Sequence, residues 1–378
     1  MISILELVPS SRGGGATHVL DLTRLLDPRQ FAVMVAMPED GGNVSAGDFT
    51  DHNVPFHRLD IAGGPSFTAF QQLRRLLQPR GFHILHCHGA RAAFYGRLVA
   101  GSLGSRRPKV VYSIHGFTAP FYGLVKRTTL LSMERLLSRF TDAFIAVSEA
   151  ERKSFLTAGS GPPERMRLVR YGIDTERFAN VVVDRAEQRT ALGVPAGSVL
   201  VTTVCRLYFP KDVDTLIRAF AMVRAQCPGV HLLVVGDGPY RPRVESLIAE
   251  LGLATHVTLA GLRRDIPQIL AVSNIFVLST TDGEGLPITI LEAMSSGLPV
   301  VASDVTGVRE EVVHQETGLI VPPKDPLALS RALADLLSSD KEARAMGKRG
   351  RTRVEQYFTL ERMGRETSAV YEELVSSI

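Results

Sequence analysis

Cysteine is scarce in this chain. Cys87, Cys205 and Cys227 are the only three, and none stands at the spacing of a metal-binding motif. An odd, sparse set argues against a disulfide scaffold and fits a reducing compartment. Long apolar runs are lacking as well: none reaches the ~18–20 residues that a membrane-spanning helix needs. The opening MISILELVP has no basic segment ahead of its short apolar stretch. It is expected to form a first strand and not a secretion signal. With no targeting signal in view, a cytoplasmic protein is expected. Low-complexity tracts are missing too, and 378 residues at 45% hydrophobic and 22% charged suffice for about two globular domains. Acidic residues nearly vanish from 61–139, which holds 12 Lys+Arg and one acid, Glu134. Such a block favours an anionic surface or substrate, although a solvated face has the same composition.

What is present is alternation. Short apolar runs, Ile2–Val8, Phe31–Ala36, Ile84–His86, Val110–Ile114 and Phe144–Val147, are separated by stretches of helical periodicity such as Val19–Leu26 and Phe70–Leu77. The second half repeats this with Val199–Thr203, His231–Val235, Val257–Leu259, Ile275–Leu278, Pro299–Ala302 and Gly318–Val321. Its helical patterns include Val213–Ala225 and Leu327–Leu337. The alternation predicts an α/β protein with two parallel sheets. A polar connection with Gly and Pro at 171–198 separates them. The expected domains are 1–185 and 186–357, with 358–378 a final helix. Ligands of open parallel sheets sit at strand carboxyl ends. The residues to inspect there are the Gly13–Gly15 loop, His86, His88, His115, Ser148, Arg206, Gly236–Gly238 and Asp282–Gly285.

Four constellations stand at those ends. Arg12-Gly13-Gly14-Gly15 precedes a helix, where backbone N–H groups and the dipole suit an anion. A dinucleotide fingerprint is the runner-up, with Glu39 as ribose acid, but its third glycine position is His18. Arg206 and Lys211 are two cations spaced to straddle a diphosphate. Lys211 also precedes a helix, where the macrodipole disfavours a cation and a bound anion would relieve the conflict. In Asp282-Gly-Glu284-Gly-Leu-Pro-Ile-Thr-Ile-Leu-Glu292, Pro287 suits the first turn of a helix carrying Glu292. Ionised carboxylates only accept hydrogen bonds, so Glu284 and Glu292 suit sugar and ribose hydroxyls. His115 ends a strand beside Gly116, where its imidazole can reach a ligand or serve the fold. His86-Cys87-His88 alternates on a strand end, but local sequence offers no further metal ligands.

Together these motifs resemble the retaining glycosyltransferases of the GT-B fold, specifically glycosyltransferase family 4. The likeness covers nearly the whole chain: Gly13–Gly15, AVSEAE at 146–151, YGID at 171–174, RLxxxK at 206–211, GDGP at 236–239, EGLPITILEAM at 284–294, GLPVVAS at 297–303 and ETGLIVPPKDP at 316–326. Glu284 and Glu292 match that family's EX7E signature. The sequence departs at Cys205, Tyr171 and Asp212, where Gly, Asn, and Gly or Asn are common in the family, and its 208–210 loop is apolar. The resemblance implies two Rossmann-like domains facing across a cleft, the first on the acceptor side and the second binding the donor, with 358–378 returning to the first.

It also implies residue roles. Gly14 and Gly15 would pack on the donor diphosphate. Arg206 and Lys211 would neutralise it as the leaving group. Glu284, with the N–H groups of Gly285 and Leu286, would hold donor-sugar hydroxyls. Glu292 would hold the ribose, and His115 would sit near the sugar and acceptor. The implied reaction is retaining, metal-independent hexosyl transfer from a nucleotide-diphosphate sugar to a glycan or lipid-linked acceptor in bacterial polysaccharide or glycolipid synthesis. No cofactor or nucleic-acid partner is implied. A non-catalytic nucleotide-sugar binder and an epimerase or phosphorylase of the same architecture are the alternatives. Residues 122–140 predict a basic amphipathic helix, with Arg127, Arg135 and Arg139 on one face and Val125, Leu136, Leu137 and Phe140 as apolar neighbours. Such a helix suits an anionic membrane surface on the cytoplasmic side, or the protein core.

Overall fold

Every apolar run named above forms a parallel strand, with ends within two residues of the expected bounds. The structure, a computed structural model, describes residues 1–79, 81–281 and 284–376. Asp282 and Gly283 of the expected 282–285 loop lie outside the described residues, as do Ser377 and Ile378. The chain divides into two units, Met1–Gly172 with Leu360–Ile378, and Ile173–Thr359.

The first unit is a seven-stranded sheet of β1 (Ile2–Leu7), β2 (Phe31–Met37), β3 (Phe56–Arg58), β4 (Ile84–His88), β5 (Lys109–Ser113), β6 (Ala143–Ala146) and β7 (Met166–Leu168). Its order is β3-β2-β1-β4-β5-β6-β7, with every pair parallel. β3 and β7 were not expected; three residues each, FHR and MRL, carry no apolar run to read. Helices cover both faces. On one, Leu73, Val99, Tyr112 and Phe155 are fully or almost fully buried. On the other, the helix Leu360–Ser376 sets Met363, Val370 and Tyr371 against Ile4, Leu22 and Phe31. Each such side chain contributes roughly 1.5–3 kcal/mol by leaving water. Strands buried on both faces are normally apolar throughout. β1 and β4 break this rule with Glu6, His86 and His88, all at most 1% exposed.

The second unit is a six-stranded sheet of β8 (Val199–Val204), β9 (Val230–Val235), β10 (Val257–Gly261), β11 (Ile275–Leu278), β12 (Val300–Ser303) and β13 (Gly318–Val321). The order is β10-β9-β8-β11-β12-β13, again all parallel. The division between units falls at Gly172–Ile173, ahead of the expected 185/186. The physical reason is that residues 173–185 already pack on the second sheet's helices. Asp174 caps the helix Thr175–Ala179, Phe178 is buried, and Ser295 Oγ donates to Thr175 O at 3.2 Å. Likewise Phe358 is buried and its carbonyl accepts from Ile173 N at 2.9 Å, so the returning segment starts at Leu360 and not at 358.

Candidate active site

In the second sheet the strand order reverses between β8 and β11. Their carboxyl ends flank the crevice where open parallel sheets hold ligands. The two loops leaving those ends are stitched together: Asp212 N donates to Ser279 O at 3.1 Å, and Thr281 N to Pro210 O at 3.0 Å. This brings Lys211 Nζ onto Glu284 Oε1 in a hydrogen-bonded ion pair. Both side chains are largely covered, at 15% and 14% exposure. Burial pushes the Lys211 ammonium down, but Glu284 outweighs it and the pKa is raised, so Lys211 stays charged. Separate contacts with diphosphate and sugar were expected of these residues; the fold makes them direct partners. The macrodipole conflict expected at Lys211 is met within the protein. Asp212 caps the helix Val213–Gln226, accepting from Thr215 N at 3.2 Å, and Glu284 neutralises the lysine.

Arg206 is exposed, its guanidinium 4.1 Å from the ring centre of Tyr208. The Gly236–Gly238 loop backs this segment. Leu207 N donates to Asp237 O at 3.0 Å, and a Cβ on Gly236 would lie 1.9 Å from Cys205 O. The loop at 284–286 is set in the same way. Gly307 has φ +87°, and a Cβ there would lie 2.0 Å from Gly285 O. Gly285 and Leu286 are buried beneath it. Pro287 is the N-cap of the helix Ile288–Ser295 and not part of its first turn, because its ψ of 97° is extended. Among the described residues no side chain caps that helix start. Glu292 lies half-buried in the helix, between buried Leu291 and Ala293, whereas Glu284 lies in the loop before it. One group was not foreseen. Glu311 is fully buried, and among the described residues neither carboxyl oxygen has a hydrogen-bond partner. Burial, then the charges of Glu284 and Glu310, push its pKa well above the ordinary value.

In the first sheet the reversal falls between β1 and β4. Gly13, with φ 80°, is the N-cap of the helix Gly14–Leu25, and its N–H donates to Asn43 Oδ1 at 2.6 Å. Gly14 and Gly15 are thus helical and not loop residues. Among the described residues no side chain caps this end, and a Cβ on Gly15 would meet nothing within 4 Å. Glu39, the ribose acid of the dinucleotide alternative, faces Arg58 at 3.8 Å.

Behind that helix start runs a buried polar chain. Glu6 and His86 are register partners on β1 and β4. Glu6 Oε2 lies 2.7 Å from His88 Nε2, and Glu6 Oε1 accepts from the Tyr371 hydroxyl at 2.9 Å. Burial raises the Glu6 pKa, but His86 and His88 outweigh this and hold it well below the usual carboxylate range. Burial and the neighbouring His86 take the His88 pKa down to about 4. His88 Nδ1 lies 2.8 Å from His115 Nε2, and His115 Nδ1 is hydrogen-bonded to the Tyr171 hydroxyl. His115 was expected to reach a ligand through its imidazole; both ring nitrogens are already engaged. A ligand must displace Tyr171 or His88, or meet the backbone, which His115 holds at φ 55°. Left-handed backbone at a non-glycine residue is a recurrent feature of functional sites. Ser148 is a helix cap, accepting from Glu151 N at 3.0 Å, and Glu151 in turn holds Gly116 N at 2.5 Å. The Ser-x-x-Glu spacing was a readable signal of that cap.

The basic stretch forms the helix Leu124–Ser138. Its one acid, Glu134, is buried against Arg97, with N–O distances of 2.8 and 3.0 Å. The expected basic face is divided. Arg135 donates to Ala158 O and Gly159 O, and Leu137 is buried in the core. Exposure concentrates in the first turns instead, with Leu124 at 79%, Val125 at 82%, and Lys126 and Arg127 beside them. Among the described residues no helix is long and apolar enough to cross a membrane.

Comparison with known proteins agrees with this architecture. The family described as glycosyl transferases group 1 matches residues 184–353, and Glycosyltransferase Family 4 matches 12–177. The chain is 34% identical over 298 residues to a GDP-mannose-dependent alpha-(1-6)-phosphatidylinositol monomannoside mannosyltransferase of Mycolicibacterium smegmatis, covering 76% of this chain and 75% of that one. It is 26% identical over 371 residues to UDP-Gal:alpha-D-GlcNAc-diphosphoundecaprenol alpha-1,3-galactosyltransferase of Escherichia coli, covering 95% and 93%. Among solved structures, Anabaena Alr3699/HepE in complex with UDP and glucose superposes with a TM-score of 0.85 at 23% identity, covering both chains entirely. WaaG, a glycosyltransferase involved in lipopolysaccharide biosynthesis, gives 0.75 at 18%, covering 98% of each. The fold is therefore that of the GT-B glycosyltransferases.

Proposed function

Since the chain belongs to the glycosyl transferases of group 1, with a Family 4 first half, we propose that it moves a hexosyl group from a nucleotide-diphosphate sugar to an acceptor hydroxyl with retention of configuration. The observation that carries this is the Lys211–Glu284 pair at the reversal of the second sheet, with Arg206 exposed beside it. A diphosphate entering there meets one exposed cation, Arg206, and one held by Glu284. A sugar beside it meets a carboxylate that accepts from its hydroxyls.

The roles follow. Arg206 and Lys211 take up the charge that develops on the diphosphate as the C1–O bond breaks and its electron pair moves to the phosphate oxygen. Preorganised charge of this kind commonly supplies several kcal/mol. Glu284 turns partly from Lys211 to the sugar hydroxyls, so the pair is the donor-free state of both groups. Gly285 and Leu286 contribute backbone N–H groups, and Glu292 holds the ribose. Gly14 and Gly15 offer amides at an uncapped helix start. His115 lies on the acceptor side. The acceptor oxygen bonds to C1 on the face that the phosphate leaves, and its proton passes to the departing phosphate oxygen. The step makes no glycosyl-enzyme bond, so no second, nucleophilic carboxylate is called for, and no metal or cofactor takes part.

The relatives support the substrate classes. One is named for GDP-mannose and a phosphatidylinositol mannoside, another for UDP-Gal and a diphosphoundecaprenol acceptor. A lipid-linked acceptor in surface polysaccharide or glycolipid synthesis fits the exposed Leu124–Val125 pair flanked by Lys126 and Arg127. We place these against the anionic cytoplasmic membrane face, at about 1 kcal/mol for each basic residue near the surface. Incubation with a panel of nucleotide sugars in the presence of a chelator, followed by NMR of the product anomer, tests the reaction. Retained configuration is the expected result; inversion or a metal requirement contradicts it. Binding without release of nucleoside diphosphate would instead favour a non-catalytic binder. Co-sedimentation with anionic vesicles should be strong at low salt and weak at high salt, and lost in Leu124→Ser/Val125→Ser. Failure of the unaltered protein to bind at low salt contradicts docking.

A further inference from the structure

Three histidines stand together at the carboxyl end of the first sheet, and of these only His115 has a part in the proposed transfer. His18 comes from the helix Gly14–Leu25, His88 ends β4 and His115 follows β5. Each offers one ring nitrogen, and the three nitrogens lie within 4.8 Å of one another. The ring centres are 5.7 Å apart for His18–His88, 5.2 Å for His18–His115 and 5.1 Å for His88–His115. Imidazoles around one tetrahedral zinc, with Zn–N bonds of ~2.0–2.1 Å, have centres about 5 Å apart. The rings therefore stand near the spacing that a single ion imposes.

Two independent observations point to a ligand. His18 is 93% buried, yet its Nδ1 has no hydrogen-bond partner among the described residues. Leaving such an atom unpaired costs roughly 1–3 kcal/mol, which an ion would recover. The outer partners of metal-bound imidazoles are also in place. His88 turns its other nitrogen to the Glu6 carboxylate at 2.7 Å, and His115 turns its other nitrogen to the Tyr171 hydroxyl. A carboxylate behind a ligating histidine fixes its tautomer and raises its basicity. Burial also holds all three imidazoles below their ordinary pKa, in the neutral form that ligates.

We propose that His18, His88 and His115 bind a divalent transition ion of the zinc class, with Glu6 and Tyr171 behind the ligating rings, and that loading this site inhibits transfer. The protons balance without loss. His88 keeps its proton on Nε2, toward Glu6, and presents Nδ1. The His115 proton moves from Nε2 to Nδ1, where the Tyr171 oxygen accepts it, and Nε2 is freed. The His88–His115 hydrogen bond gives way to two metal–nitrogen bonds. Imidazole donors select zinc, copper or nickel over magnesium and calcium. The fourth position is left for water. Binding stands on geometry alone; inhibition rests on the proposed function, because the ion holds His115 away from the acceptor.

The test uses the full chain, freed of metal with a chelator. Zinc chloride is titrated by calorimetry and in competition with a chromophoric chelator, with magnesium chloride as control. His18→Phe removes the ligand atom while keeping a ring in the packed position. One zinc per chain is expected, with affinity falling about 100-fold or more in His18→Phe and about 10–100-fold in Glu6→Gln. Zinc should arrest nucleoside-diphosphate release by the unaltered protein but not by His18→Phe. No zinc binding, or undiminished affinity in folded His18→Phe, overturns the site. Should that variant fail to fold, undiminished affinity in Glu6→Gln overturns it. Zinc bound without loss of turnover overturns the inhibition. If no donor is turned over at all, the transferase reading fails while calorimetry still decides the site.

Discussion

Glu292 and Glu311 are two glutamates of the second unit with opposite demands. Glu292 is half-buried on the helix after the Glu284 loop, and the proposed role is to accept from ribose hydroxyls. Glu292→Ala should fold and bind donor more weakly by about 1.5–3 kcal/mol, the worth of hydrogen bonds to a charged group. Isothermal calorimetry with nucleoside diphosphate checks this, and unaltered affinity would remove the ribose assignment. Glu311 is buried without a hydrogen-bond partner among the described residues, and its folded pKa stands well above the 4.5 of a free glutamate. The folded chain favours its neutral form. Below pH 4.5 both states are protonated and Glu311 carries no penalty. As pH rises from there toward the raised folded pKa, the unfolded state ionises first and stability is lost. Gln cannot ionise, so the melting temperature of Glu311→Gln should gain on that of the unaltered protein between pH 4.5 and 7. A difference that does not change with pH would mean that Glu311 ionises normally in the fold.

Loops and strand ends show what could be read from sequence and what could not. Strands of four or more residues were legible because a parallel sheet buries both faces and draws apolar runs. β3 and β7 were not, because three residues carry no period. Lys211, Glu284 and Glu292 were visible as charged residues at strand and helix ends. The pairing of Lys211 with Glu284 was hidden, since it depends on β8 and β11 being neighbours. The polar chain of the first sheet was hidden for the same reason. Glu6, His88 and Tyr371 lie on three distant segments, and only the sheet order and the returning helix bring them together. Gly307 is a further case: nothing in its local sequence announces that it sits against the Gly285 carbonyl. Gly307→Ala would place a Cβ 2.0 Å from that oxygen at φ +87°, so the Glu284–Leu286 loop must move. Left-handed backbone costs a non-glycine residue roughly 1–2 kcal/mol. The variant is expected to melt lower and to lose turnover beyond what its stability explains. Normal kinetics in Gly307→Ala would show that the loop position is not critical.

At the scale of the molecule, two parallel sheets each reverse order once, and each reversal carries charged or polar groups that no apolar core calls for. The second sheet holds the Lys211–Glu284 pair and Arg206; the first holds the Glu6–His88–His115 chain. The family gives the reaction class; under the proposed function the second sheet carries the leaving-group chemistry and the first the acceptor side. The division at Gly172–Ile173 is hidden in the sequence because the polar segment at 173–185 has the composition of a linker, although Phe178 anchors it to the second unit. In the proposed reaction Arg206 and Lys211 act together on one leaving diphosphate. Rates of nucleoside-diphosphate release from the unaltered protein, Arg206→Ala, Lys211→Ala and the double variant, measured with the best donor, test it most directly. Each single variant should fall about 100-fold or more, and the double should fall by less than the product of the two, as expected for groups sharing one target. Independent, multiplicative losses, or a Lys211→Ala protein as fast as the original, would contradict the account.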